Sequence, residues 1–131
     1  MATTIGNYLV IVFLLFGLTS CASVEDLKPG TGSVLEIRDR DFHEIWRAAI
    51  KTASNNLTLV YQNKALGTIK AEARAGMTTW GEVVGIFITP TEPMKGRYMV
   101  EVVSQKRSKI QITGQDWEKA MLAGIGAELD L

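Results

Sequence analysis

Beyond residue 40 the apolar positions follow two different rhythms. Phe42, Ile45, Trp46, Ala49, Ile50 and Ala53 recur every three or four residues, which lays one apolar stripe along a helix. Asp41 precedes the stripe and Glu44 stands three positions later, the spacing of a capping box, so the helix is predicted to start at Asp41. His43, Glu44, Arg47 and Lys51 share the other side, and Asn55-Asn56 is expected to end the helix because Asn tolerates the left-handed conformation. After that the pattern turns to alternation. Leu57 to Gln62, Thr68 to Arg74, Glu82 to Thr89, Arg97 to Gln105 and, optionally, Lys109 to Thr113 predict antiparallel strands joined by short polar or glycine-bearing connections, and Val34 to Arg38 predicts one strand ahead of the helix. A second helix is expected from Thr113 or Asp116, with Trp117, Ala120, Met121 and Ile125 on one stripe and Leu122 and Leu129 beside it. Gly124 and Gly126 weaken that helix by up to about 1 kcal/mol each unless they allow a close approach.

The resulting order is βαββββ(β)α, which predicts a two-layer α+β sandwich: an antiparallel sheet of four to six strands with two helices on it. Alternation also assigns the faces. If Ile69, Ala71, Ala73, Val84, Ile86, Ile88, Tyr98, Val100 and Val102 meet the helices, then Val83, Phe87, Met99 and Val103 point to the side that should be polar. Such a patch is a candidate binding surface, either a shallow partner site around Phe87 and Met99 or the wall of a cavity for an apolar ligand; scattered surface hydrophobics are the plainer alternative. Trp80, in the loop that leads to Glu82, either plugs one end of the core or stands at a contact surface, and Glu82 caps or pairs nearby.

Ahead of the domain the character of the chain changes. No Asp, Glu, Lys or Arg occurs before Glu25, and Tyr8 to Leu18 form an apolar run of about eleven residues, whereas a membrane-spanning helix needs roughly twenty. The run fits the core of a signal peptide, with an uncleaved anchor or a buried helix as the competing reading. It departs from the usual signal in carrying no Lys or Arg at its start. Directly after it, Leu18-Thr19-Ser20-Cys21 resembles the bacterial lipobox. That resemblance implies diacylglyceryl transfer to the Cys21 thiol, cleavage between Ser20 and Cys21, and attachment to a membrane. Ala22 in place of Asp after the cysteine implies the outer membrane, facing the periplasm. Residues 1–20 are thus expected to be a signal peptide, 21–32 the lipidated cysteine and a flexible tether, and 33–131 a single domain.

Composition narrows the chemistry. Of 131 residues 47% are hydrophobic and 21% charged, with zero formal net charge, values that suit one packed domain and give no field to steer nucleic acid. His43 is the only histidine and Cys21 the only cysteine, so neither a catalytic triad nor a metal-ligand spacing is legible, and no Gly-rich phosphate loop opens a helix. The expectation is a non-enzymatic protein without cofactor or metal. Lys106-Arg107-Ser108-Lys109 is the one basic cluster, either a solvated turn or a contact for anionic headgroups.

Three short motifs occur in order: Trp80-Gly81-Glu82, Val100-Glu101-Val102-Val103-Ser104, and Thr113-Gly114 with Asp116-Trp117-Glu118. Their pattern resembles a group of uncharacterised proteobacterial envelope proteins over roughly residues 38 to 130, and the order of elements is more remotely similar to BamC-like helix-grip lipoproteins. The resemblance implies an envelope protein and no assigned activity. The expected role is a membrane-anchored accessory module that binds another envelope protein, or alternatively a carrier or sensor for a lipid or other small apolar ligand.

Overall fold

The computed structural model describes residues 23–74, 81–107 and 115–131. Ser20, Cys21, Trp80 and the optional strand at 109–113 lie outside the described residues. The elements are β1 (Ser33–Ile37), α1 (Phe42–Asn56), β2 (Thr58–Asn63), β3 (Thr68–Ala73), β4 (Glu82–Glu92), β5 (Arg97–Lys106) and α2 (Trp117–Glu128), with short 3-10 turns at Val24–Asp26 and Pro93–Lys95. Among the described residues five strands form one antiparallel sheet in the order β1-β5-β4-β3-β2. This is the expected α+β sandwich.

α1 begins where its cap predicts, and α2 takes the later of its two expected starts. Asp41 Oδ1 accepts from Glu44 N at 2.8 Å and Asp116 Oδ1 from Lys119 N at 3.1 Å, each satisfying an amide that has no partner inside the helix. The end of α1 differs from expectation. The helix runs through Asn56, whose side-chain amide donates to Thr52 O at 2.8 Å, and Leu57 turns the chain into extended backbone. Extended backbone at Leu57, whose N–H still donates to Ala53 O at 2.8 Å, ends the helix in place of a left-handed residue.

Among the described strands β1 and β2 are the outermost, so α1, which connects them, must cross the full width of one face. Packing follows from that path. Ile45, Trp46, Ala49 and Ala53 of α1 and Met121 and Ile125 of α2 close over Ile37, Ile69, Ala71, Val84, Ile86, Val100 and Val102 of the sheet. The inward set predicted by alternation is in this core, Ala73 at its margin. Burying each large aliphatic side chain contributes about 1.5–3 kcal/mol, so this layer carries most of the stability.

Gly124 has a packing role, against the other helix rather than the sheet. A Cβ there would lie 2.5 Å from Thr52 Cγ2 of α1, whereas at Gly126 it would meet nothing. Overpacking of this kind costs about 1–3 kcal/mol, more than the gain of up to about 1 kcal/mol from better helix propensity. Gly124→Ala is therefore expected to lower stability by about 1 kcal/mol in urea unfolding. Combining it with Thr52→Ala should recover the loss, because the clashing methyl is gone. Gly126→Ala should stabilise slightly.

Candidate functional site

The face of the sheet turned away from the helices is where the candidate residues converge. Val83, Phe87 and Val103 form a second apolar cluster there, as alternation predicts, but the cluster is not exposed. Leu27 sits on it, only 3% exposed, and leaves Phe87 at 8%. The stretch expected to be a flexible tether is instead laid across the sheet as a strap, at least from Ser23 onward. Turn-forming composition does not preclude this, since one large apolar side chain is enough to draw the segment onto an uncovered apolar surface.

Two further features hold the strap on the sheet. Gly85 lacks a side chain where a Cβ would be 2.9 Å from the Phe87 ring and 3.5 Å from Leu27 Cβ, so its absence makes room for both. Glu101, buried within β5, points to this face and accepts from Gly30 N at 2.7 Å and Gly32 N at 2.8 Å, both through Oε2. Charge-assisted bonds to two amides compensate the cost of burying that carboxylate. At the other end, Ser23 N and Oγ each lie 3.0 Å from Asp26 Oδ2, hydrogen bonds that hold the Asp26 carboxyl below its ordinary range.

Another motif carboxylate, Glu118, works on the opposite face. Strand β1 begins at Ser33, opposite Val102, so β5 runs on past its neighbour. Glu118, in the first turn of α2, accepts from Ser104 N there at 3.1 Å and from Ser33 Oγ at 2.8 Å. Glu101 and Glu118 thus lie on opposite sides of the sheet, each tying a segment to it. His43 is exposed on α1 as expected, with its Nδ1 accepting from Lys64 Nζ at 2.6 Å. Among the described residues no group of His, Cys, Asp and Glu has the arrangement of a metal site.

Glu82 is buried on the helix side of the sheet, opposite Lys106 on β5. Burial pushes its carboxyl above the ordinary carboxylate range; Lys106 opposes that and nearby Asp116 adds to it. The folded state therefore binds this proton more readily than the unfolded chain, and its contribution to stability falls as pH rises from below the ordinary carboxylate value through the raised one. Glu82→Gln is expected to remove that fall. Urea unfolding between acid and neutral pH should show the variant gaining on the wild type as pH rises, and parallel curves would contradict the assignment.

Beside the strap the same outer face opens into a groove of about 610 Å³, bounded by Val24 and Glu25 of the strap, Phe87, and Tyr61, Leu66 and Lys70 of the β2–β3 hairpin. A bulge in β2 shapes it. Leu59 pairs with Ala71, whose side chain is in the core, while Tyr61 pairs with Lys70 on the outer face; without the extra residue at Val60 the two would share a side. The bulge leaves Val60 46% and Tyr61 43% exposed, and Leu66 at the hairpin tip is 68% exposed. Lys70 Nζ lies 5.7 Å from the Tyr61 ring centre.

The predicted binding surface is thus divided. Phe87 and Val103 are covered by Leu27 and do not form an open patch, which corrects the expectation of a shallow site around Phe87. Met99 remains half-buried at the far side of the strap, opposite Glu36 and near the exposed Val34 of edge strand β1. No alternation pattern pointed to the groove, because the bulge breaks the register that alternation assumes. Gly85 within a strand and the charged Glu101 in an otherwise apolar run were the available signals of a close approach on this face.

No family model matches the chain. No curated protein sequence matches it either. Among solved structures it is similar to a DUF4468 family protein from Bacteroides ovatus, at 11% sequence identity, covering 86% of this chain and 86% of that one, with a TM-score of 0.33.

Proposed function

We propose that the protein is a lipid-anchored accessory module of the bacterial envelope, cut before Cys21, held on a membrane by lipid on that residue, and working by binding rather than by catalysis. The observation that carries this reading is the junction of Leu18-Thr19-Ser20-Cys21 with a segment already part of the domain at Leu27. Acyl chains contribute about 0.8 kcal/mol per buried CH₂, so two or three of them make attachment close to permanent. A non-catalytic role is supported by the employment of Glu101 and Glu118 as ties between segments. The accessible remainder of the predicted partner patch, Met99 beside Val34, is the surface assigned to another envelope protein.

A second reading, a carrier of a lipid or small apolar molecule, is favoured by the groove beside the strap, whose volume falls in the usual range for small-molecule sites. Its open side favours the first reading. Native mass spectrometry of protein gently extracted from its own membranes separates the two. An acylated chain starting at Cys21 with a second polypeptide supports the accessory role, and an added few hundred daltons would support the carrier. Cys21→Ser is expected to move the protein from the membrane fraction to the soluble one; a variant that pellets with membranes as strongly as wild type would sink the anchor.

A further inference from the structure

The strap ends its described course beside the groove, and this decides which way the domain faces if the chain is anchored at Cys21. Val24 and Glu25 form one wall of the groove. Cys21 stands two residues before Ser23, and covalent geometry keeps residues that close within about 7 Å of one another. A lipid on Cys21 must therefore enter its bilayer close to this wall. A tether free from residue 21 to residue 32 would average roughly 18 Å and leave orientation undetermined; a strap pinned at Leu27 and by Glu101 removes that freedom.

The opposite wall of the groove suits the same boundary. Val60, Tyr61 and Leu66 are among the exposed large hydrophobic residues of the domain, and all three line this one concavity. A tyrosine places an apolar ring below the headgroups and its hydroxyl among them, as interfacial aromatics do. Lys70 beside that ring has a long apolar stem that can lie along the groove while its ammonium reaches the headgroup layer.

We infer that the groove rim formed by Val60, Tyr61 and Leu66 is a membrane-contact surface, which sets the β2–β3 edge of the domain on the lipid surface that holds the anchor, with the two helices turned away from it and Met99 and Val34 at the opposite, β1 edge. This rests on the lipid-anchor reading above. The occupant is the lipid surface itself, since the point where the strap emerges puts that surface next to the rim. The helix layer, with Arg47 and Lys51 on its exposed side, then faces the aqueous compartment.

The test uses the full lipidated protein in vesicles of phosphatidylethanolamine and phosphatidylglycerol. Leu66→Cys and, separately, Arg47→Cys provide an accessible thiol for an environment-sensitive fluorophore, Cys21 being blocked by its lipid; both positions are exposed, so neither change threatens the fold. Lipids carrying a doxyl quencher should quench the fluorophore at position 66 several-fold more strongly than at position 47, with a blue shift only at 66. Equal quenching, or stronger quenching at 47, would overturn the orientation. The mass of the same sample separates the two claims: an acylated chain with position 66 unquenched overturns the contact surface and spares the anchor, whereas an unacylated chain overturns both. A fluorophore at 66 shielded without quenching, together with a dimer mass, would assign the rim to a second copy and overturn the proposal.

Discussion

Leu27→Ala is expected to lower stability by about 2–5 kcal/mol, the range for truncating a buried leucine. The side chain is almost fully buried on Val83, Phe87 and Val103 and is the largest apolar group the strap places there. Two outcomes of the truncation are distinguishable. If the strap stays down, a cavity forms over Phe87 and the whole cost appears in urea unfolding. If the strap lifts, the loss is capped at its own docking energy, and the chain becomes open to cleavage after Glu25 by a glutamate-specific protease while the helix-side core persists. Either outcome makes residues 23–32 part of the folded unit. An unchanged unfolding midpoint with unchanged resistance to the protease would mean that the strap contributes nothing.

Gly32→Ala should cost about 3–5 kcal/mol, from overpacking plus the loss of a charge-assisted bond. A Cβ at this position would lie closer to Val102 O than atoms can approach, and 2.8 Å from Val103 Cγ2. Since the nearest obstacle is backbone in a central strand, the strap itself has to move, and with it Gly32 N leaves Glu101 Oε2. Gly30→Ala is a useful contrast. Nothing stands within 4 Å of a Cβ there, but its φ of +123° is one that other residues rarely adopt, so the expected cost is backbone strain of about 1–3 kcal/mol. Urea unfolding of the two variants checks the order, Gly32→Ala being the more damaging. Both should increase cleavage after Glu25.

The helix-side layer was readable because its signals are local and redundant. Asp41 caps the helix it was expected to cap, Asp116 is the one of two offered starts that the second helix takes, and the inward residues of β3, β4 and β5 keep strict alternation. Where a pattern was interrupted by one residue, reading failed: the bulge at Val60 returns Tyr61 to the outer face, and no count of apolar positions predicts which strand position is skipped. The candidate site was legible in part. Alternation correctly sent Val83, Phe87, Met99 and Val103 to the outer face, but it carries no information about what covers them. Leu27 is a single apolar residue among turn formers, and its role appears only when the chain brings it across the sheet to a position fifty-six residues away at Val83.

By itself, then, the amino-acid sequence determined the kind and order of elements in the domain, the cap of the first helix and the composition of the main core, since each of these rests on spacing and intrinsic preference within a few residues. The tertiary structure alone decided that β1 joins β5 at one edge, that Glu101 and Glu118 work on opposite faces, that Gly124 admits Thr52, and that the strap closes over the outer face. These depend on contacts between residues far apart in the chain, where shape, amide donors left by a short edge strand and an uncovered apolar surface select the partner, and no local pattern records the choice.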